Sequence, residues 1–266
     1  RTQGTTFLIN IFFGVISNTA NSIATTVDGV LNGLAYNIIT ASQPNIIKCY
    51  SQNKLDEMQN TMRNCIKFST LFLTLIAIPF YFETPFIIQL WLGQVPDYVV
   101  SFIRIALILN FIRLINSVIT ISLDATGNIK LYSIMTGTIN LIALPVSFLL
   151  FKIGYDAQFA YVVCLLSFIL ILTINICLLK KQIKEIILHP ILLDILQLLL
   201  IVIISIFIGK LLYTYVPSGI YRLISIIICN TIVVSLLTYI IVLNKDQRKF
   251  VSQFLSQKLL KKYKRD

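Results

Sequence analysis

The sequence is dominated by apolar segments that are long enough to cross a membrane. A helix rises about 1.5 Å per residue, so about 20 apolar residues span a hydrocarbon core of about 30 Å. Short stretches rich in Gly, Pro, Asn and Asp separate the segments, which are 5–16 (clipped), 18–42, 65–82, 98–123, 131–151, 157–179, 191–215 and 220–243. We therefore predict an all-α, polytopic transmembrane helix bundle with about eight spans.

The composition excludes the main alternatives to a membrane protein. Hydrophobic residues make up 57% of the chain and charged residues only 12%, against about 25% charged residues in a soluble domain. That much apolar surface exceeds what a water-facing globule of this size buries. A disordered chain would be poor in these residue types. The chain is therefore expected to be multi-pass and membrane-embedded.

The basic residues predict an orientation. Cytoplasmic loops collect Lys and Arg, and most of the 22 basic residues fall on alternate loops and on the C-terminal tail. We therefore place that side, and the C-terminus, in the cytoplasm. The net charge of +11 then reflects topology and contact with anionic membrane lipids. No nucleic-acid-binding motif is present, so we expect no nucleic-acid partner.

Two accessory segments are predicted outside the spans. The outer segment 83–97 contains Trp91 and two prolines and indicates a short helix in the membrane interface. In the tail, 245–266, apolar residues recur near helical spacing among basic ones. This pattern predicts an amphipathic helix on the anionic inner leaflet, with a frayed basic tail as the alternative. A turn is expected at 43–45, and we expect further sequence upstream of Arg1.

No residue pattern indicates enzymatic chemistry. The five cysteines have no CxxC spacing, and His189 is the single histidine, so we predict neither a disulfide framework nor a metal site. No nucleophile lies in a recognisable catalytic constellation. We expect no cofactor and no enzymatic activity.

The second span carries a stripe of polar side chains at three- and four-residue steps, which share one face of a helix. The stripe consists of Asn18, Asn21, Ser22, Thr25, Asp28, Asn32 and Tyr36. Lipid cannot solvate such a face, so it must contact protein or water. We favour a cavity wall lined by Asn18, Asn21, Thr25, Asp28 and Asn32. Polar packing between helices is the alternative.

The fourth span adds a positive charge near the middle of the membrane. Asn110, Arg113 and Ser117 share one face with Thr120. Arg113 needs either a buried partner, for which Asp28 is the acidic candidate, or an anionic ligand such as a phosphate. Arg104 lies on the opposite side of the helix, where it either reaches the head groups or adds a second cation to the site. The candidate substrate-binding residues are Arg113, Asn110, Ser117 and Arg104.

Two further features of the spans complete the expectations. Asp194 lies near the inner end of its span, and we expect it to reach the interface. Pro79 and Pro145 interrupt their spans and release backbone groups, as in helices of proteins that rock between two states.

Several segments resemble bacterial polysaccharide (O-antigen type) flippases, which belong to the superfamily that includes multidrug/toxin extruders and lipid II flippases. The resemblance covers nearly the whole chain, and its motifs are moderately specific. They are 9–14 (INIFFG), the polar stretch 18–37, 43–50 (QPNIIKCY), 83–86 (ETPF), 90–93 (LWLG) and 125–130 (ATGNIK).

The resemblance implies the second half of a two-lobed transporter of about 14 helices. Residues 1–182 would form the second six-helix lobe with its first helix clipped, and 183–244 a two-helix appendix. Family members move undecaprenyl-pyrophosphate-linked oligosaccharide from the inner to the outer leaflet of the bacterial inner membrane, through a cationic cavity between the lobes. Glycan polymerase or ligase machinery would be a further partner.

The chain departs from the family pattern at two positions. The family often carries an arginine where this chain has Asn21, and a neutral residue where it has Asp28. The departure implies that part of the phosphate site differs, or that the phosphate depends more on Arg113. A cation-coupled multidrug efflux transporter is the alternative function. A membrane-embedded glycan polymerase or ligase would need a longer outer loop than 83–97.

Overall fold

The computed structural model describes residues 2–243 and 247–249, which form helices and short connections, with no strand among them. Seven helices are long and apolar enough to cross a membrane. They are α1 (Thr2–Ser51), α2 (Leu55–Leu92), α3 (Val99–Ala125), α4 (Lys130–Ile153), α5 (Phe159–Gln182), α6 (Leu188–Tyr215) and α7 (Ile220–Leu237), with a π-helical turn (Thr238–Val242) after α7. The all-α polytopic bundle is confirmed.

Helix α1 contains two of the predicted spans. At Gly14 the backbone leaves the helical region, with φ of 76° and ψ of −172°. Asn21 Nδ2 donates to Thr6 Oγ1 across 3.1 Å, whereas residues this far apart in a continuous helix lie about 22 Å apart. The chain therefore folds back at Gly14, which glycine permits because it has no Cβ. We name residues 2–13 the first arm and residues 15–51 the second arm.

Two segments are helical where the sequence predicted breaks. The turn predicted at 43–45 is wrong, because Pro44 lies inside the second arm. The separate interfacial helix predicted at 83–97 is also wrong, since α2 continues to Leu92 and ends at Gly93 in the left-handed region. Apart from 247–249, the predicted amphipathic tail lies outside the described residues.

The core forms where α1, α3, α2 and α5 pack together, with α4 against α5, and α6 and α7 against α2.

Loops that carry basic residues lie at one end of the bundle. Gln59 at the start of α2 exchanges hydrogen bonds of 2.7 and 3.1 Å with Ile187 before α6. Gln182 at the end of α5 bonds to Thr126 and Asn128 after α3. This is the alternation on which the predicted orientation rests, and the orientation itself stays a prediction.

Two ion-pair groups fasten α6 and α7 to α2. At the end of the bundle away from the basic loops, Arg222 of α7 contacts Glu83 with both carboxylate oxygens engaged, at 2.5 and 3.1 Å. Glu83 is fully buried, so this contact supplies the partner that a buried carboxylate needs. At the other end, Asp194 of α6 binds Arg63 at 2.5 Å and Lys67 at 2.9 Å. Asp194 is therefore buried by protein, 3% exposed, between two basic side chains, and its expected position at the depth of the interface stays a prediction.

The prolines of α2 explain two further contacts. A proline has no N–H for the carbonyl four residues earlier, and in lipid that carbonyl needs another donor. Pro79 frees the carbonyl of Leu75, and Asn230 Nδ2 of α7 donates to it across 3.3 Å and to Thr74 O across 3.2 Å. Asn230 is 3% exposed. One amide side chain thus satisfies the interrupted turn of α2 and holds α7 in place.

We predict that Asn230→Ala destabilises the protein by about 1–3 kcal/mol, the usual cost of leaving a buried polar group unpaired. Pro79→Ala restores an N–H for the Leu75 carbonyl, so Asn230→Ala should cost much less in that background. Thermal unfolding of the four proteins in detergent measures the difference. The exposed neighbour Thr231→Ala is the control. An equal cost in both backgrounds would contradict the coupling of Asn230 to Pro79.

Candidate functional site

The second arm of α1 and helix α3 bring an acid and a base together inside the bundle. Arg113 Nη1 donates to Asp28 Oδ2 across 2.6 Å, and the two side chains are 20% and 16% exposed. The same nitrogen also donates to Asn110 Oδ1 across 3.3 Å. Of the two partners considered for Arg113, an acidic side chain and an anionic ligand, the structure contains the side chain. A guanidinium with one bonded nitrogen still offers further donors to a second acceptor.

Aromatic side chains of α5 complete the surroundings of the pair. The guanidinium carbon of Arg113 lies 5.5 Å from the centre of the Phe168 ring. Tyr161 donates its hydroxyl to Asn21 Oδ1 across 2.8 Å. Asn21 in turn holds Thr6 of the first arm. The two arms and α5 are therefore connected through Asn21, the position where the resembling family often carries an arginine.

One small cavity is lined by the pair, and a second, larger cavity meets it at Thr25. The inner one has a volume of about 40 Å³ and is lined by Asp28, Arg113, Asn21 and Tyr161. This is enough for a water molecule, which occupies at least about 10–15 Å³ by this kind of measure. The second cavity is an open depression of about 450 Å³ on the two arms of α1. Its lining is Gln3, Thr6, Phe7, Asn10, Asn18 and Thr25. We call this second cavity the polar depression.

Several polar atoms at the site have no hydrogen-bond partner within the described part of the chain. Asp28 Oδ1, Asn110 Nδ2, Asn18 Oδ1 and Asn32 Oδ1 are buried atoms of this kind. Buried polar atoms are normally paired, and unpaired ones cluster where a ligand, ion or water belongs. The acceptors and the amide donor therefore mark the Asp28–Arg113 region as a site that can receive a polar ligand.

The predicted site residues divide into two groups. The inner cavity is lined by Asn21, Thr25 and Asp28 together with Arg113. The polar depression is lined by Asn18 and Thr25. Asn110 touches Arg113, and Ser117 bonds to the Arg113 carbonyl at 2.8 Å. Asn32 lies one turn beyond Asp28 on the second arm. Arg104 is not part of this group, because its partner lies on α2.

Arg104 serves the second proline of α2. Pro85 frees the carbonyl of Tyr81, and Arg104 Nε donates to that carbonyl across 3.1 Å. The Thr84 hydroxyl of α2 also donates to it, across 3.3 Å. The guanidinium carbon also lies 5.2 Å from the centre of the Tyr81 ring. Arg104 therefore connects α3 to α2 on the side away from Asp28, in the same way that Asn230 connects α7 to α2.

Sequence reasoning missed the α5 side chains and the buried role of Lys67. Tyr161 and Phe168 sit in an apolar run with nothing to distinguish them. Lys67, which lies within the predicted span 65–82, is buried inside α2. Among the described residues, no group of three or more His, Cys, Asp or Glu side chains is placed to hold a metal ion.

No protein-family model, curated protein or solved structure matches the chain. The fold therefore defines the class by itself. The protein is an all-helical, multi-pass membrane protein with an Asp–Arg pair inside its bundle.

We predict that Arg104→Met lowers stability by about 1.5–3 kcal/mol, the contribution of a hydrogen bond from a charged donor. Pro85→Ala returns an N–H to the Tyr81 carbonyl, and the loss should shrink in that background. Thermal unfolding in detergent measures the loss in the unmodified and in the Pro85→Ala background. The control is Lys152→Met, which removes an exposed cation. If Arg104→Met weakened phosphate binding without changing stability, Arg104 would belong to the substrate site.

Proposed function

We propose that the protein is a flippase, which moves an undecaprenyl-pyrophosphate-linked oligosaccharide across the bacterial inner membrane for surface polysaccharide biosynthesis. The observation that carries the proposal is a permanently charged arginine in the middle of an apolar helix, in a small cavity that meets the polar depression at Thr25. Intramembrane ionisable residues are costly and mark substrate or ion pathways. A guanidinium is suited to phosphate, to which it donates parallel hydrogen bonds.

The Asp28–Arg113 pair adds an exchange step to this proposal. Without a substrate, Asp28 neutralises Arg113 and removes most of the cost of a lone buried charge. A pyrophosphate entering the depression carries more negative charge than one carboxylate, so it displaces Asp28 and takes Arg113. When the substrate has crossed, the carboxylate repels the phosphate and recovers the guanidinium, which favours release. Transport requires such binding, strong enough for capture and weak enough for release.

The remaining polar residues fit the same function. The sugars of the substrate would lie in the polar depression, where Asn18 and Thr25 offer amide and hydroxyl groups. The prenyl chain would stay in lipid. Alternating access between two orientations of the bundle would carry the site from one leaflet to the other.

We predict that Arg113→Ala weakens binding of a short-chain prenyl pyrophosphate to the purified protein by about ten- to a hundredfold, the range of a charge-assisted hydrogen bond. Surface glycan export should fail in cells that depend on the protein. The exposed cation variant Lys210→Ala is the control. Because Arg113→Ala strands Asp28, the uncharged pair Asp28→Asn with Arg113→Gln tests binding without a buried charge. Unchanged binding in that double variant would overturn the proposal.

We predict the opposite effect for Asp28→Asn. Removing the competing carboxylate leaves Arg113 free, so prenyl pyrophosphate should bind several-fold more tightly than to the unmodified protein. The affinity of Arg113→Lys should lie between those of Arg113→Ala and the unmodified protein, because an ammonium keeps the charge but not the paired donors. A titration of the purified variants measures this. Weaker binding in Asp28→Asn would contradict the exchange step.

The same variant separates the alternative function. Asp28 Oδ1 is a buried acceptor without a described partner, which favours cation binding and hence a cation-coupled multidrug efflux transporter. In that case Asp28→Asn would abolish resistance to cationic drugs in a susceptibility assay. For the flippase we expect drug susceptibility to be the same in Asp28→Asn, Arg113→Ala and the unmodified protein.

A further inference from the structure

An apolar cleft lies between α2, α3 and α6, on a different side of α3 from the Asp28–Arg113 pair. Its volume is about 370 Å³, and its walls run from Thr70 to Tyr81 on α2 and from Ile195 to Ile206 on α6. Ile203 on its wall is 64% exposed, so the cleft opens to the outside of the bundle. Its length along α2 is about 16 Å, close to the 15 Å or so of one hydrocarbon leaflet.

A group with excess positive charge adjoins one end of the cleft. Arg63 and Lys67 share the single carboxylate of Asp194, at 2.5 and 2.9 Å. Lys67 precedes the cleft residue Thr70 by about one helical turn, and Asp194 directly precedes Ile195. Lys67 and Asp194 are 5% and 4% exposed, whereas Arg63 is 23% exposed. The group therefore carries a net charge of about +1 that is buried and reachable through Arg63.

A polar atom inside the cleft also lacks a partner. Thr70 lines the cleft and is 2% exposed, and its Oγ1 finds no hydrogen-bond partner among the described residues. The hydroxyl lies one turn deeper in the bundle than Lys67. Along α2, the cation of Lys67 is thus followed by the hydroxyl of Thr70 and then by the apolar wall that ends at Tyr81.

We infer that this cleft binds one anionic phospholipid from the leaflet on the side of the basic loops. The phosphate contacts Arg63 and Lys67 and balances their excess charge, which is otherwise costly when buried. The Thr70 hydroxyl donates to an ester carbonyl at the start of an acyl chain. The chain lies along the apolar wall, whose length matches one leaflet. Basic pockets between helices on the cytoplasmic side hold lipid head groups in this way.

The lipid site is separate from the proposed transport site, and the inference does not depend on the proposed flippase function. The proposed occupant is a resident membrane lipid. Retention of a prenyl pyrophosphate in its place would show instead that the cleft holds the prenyl chain of the transported substrate. Delipidated protein in detergent is titrated with phosphatidylglycerol or with phosphatidylcholine of identical acyl chains, and native mass spectrometry counts the bound lipid. We expect one phosphatidylglycerol to be retained in preference to phosphatidylcholine.

The charge requirement is tested with Lys67→Met. This variant leaves Asp194 paired with Arg63 and the group neutral, so the protein should still fold. The preference for phosphatidylglycerol should fall roughly fivefold, the usual effect of one basic residue near an anionic lipid. The exposed lysine variant Lys48→Met, on the same side, should behave as the unmodified protein. Equal retention of both lipids by the unmodified protein, or an unchanged preference in Lys67→Met, would overturn the inference.

The hydroxyl and the cleft are tested separately. Thr70→Val should leave stability in lipid-free detergent unchanged, because its hydroxyl has no described partner, and should reduce lipid retention. Ile203→Trp fills the open side of the cleft and should also reduce retention. The control Ile232→Trp, at an exposed position on α7, should not. If the Thr70 and Ile203 variants retain lipid normally, or if only prenyl pyrophosphate is retained in a Lys67-dependent manner, the inference is wrong.

Discussion

A polar group inside a membrane has no water to bond with, and α2 presents several such groups at once. Its two prolines free the carbonyls of Leu75 and Tyr81, which accept hydrogen bonds from Asn230 of α7 and Arg104 of α3. Each unsatisfied group of this kind costs several kcal/mol in hydrocarbon. Because neighbouring helices supply the missing donors, the interruptions in α2 become points of attachment. The positions of α3 and α7 therefore depend on α2.

Buried charges work by the same rule at the two ends of α2. Glu83 with Arg222, and Asp194 with Arg63 and Lys67, join α2 to α7 and α6. Removing one member of a buried pair strands the other, so these contacts specify partners more than they add stability. The helix pair α6–α7 is thus fixed to α2 at both ends and at the Asn230 contact between them, which makes these three helices one unit.

Features that lie within a single segment were predictable from the sequence, whereas most contacts between helices were not. Apolar length and loop charge predicted the bundle, and even the short first arm of α1, because both signals lie within single segments. A turn was predicted at 43–45 and a separate helix at 83–97, yet Pro44 and Pro85 both lie inside longer helices. Near Pro85, other helices supply contacts, since Arg104 bonds to the freed carbonyl and Arg222 binds Glu83. Spacing predicted four residues that line the cavities, Asn18, Asn21, Thr25 and Asp28, but Asn32 lines neither cavity. Tyr161 and Phe168 of α5 carried no signal in the sequence.

Arg222 and Arg113 both pair with a carboxylate, but Arg222 is held at more points than Arg113. Arg222 binds both oxygens of Glu83 and also stacks on Tyr213, with 4.2 Å between the guanidinium carbon and the ring centre. Arg113, by contrast, bonds to Asp28 and Asn110 through one nitrogen and adjoins buried polar atoms without described partners. A cation that is held at a single point, by a carboxylate that a stronger anion displaces, is suited to exchanging partners during a transport cycle.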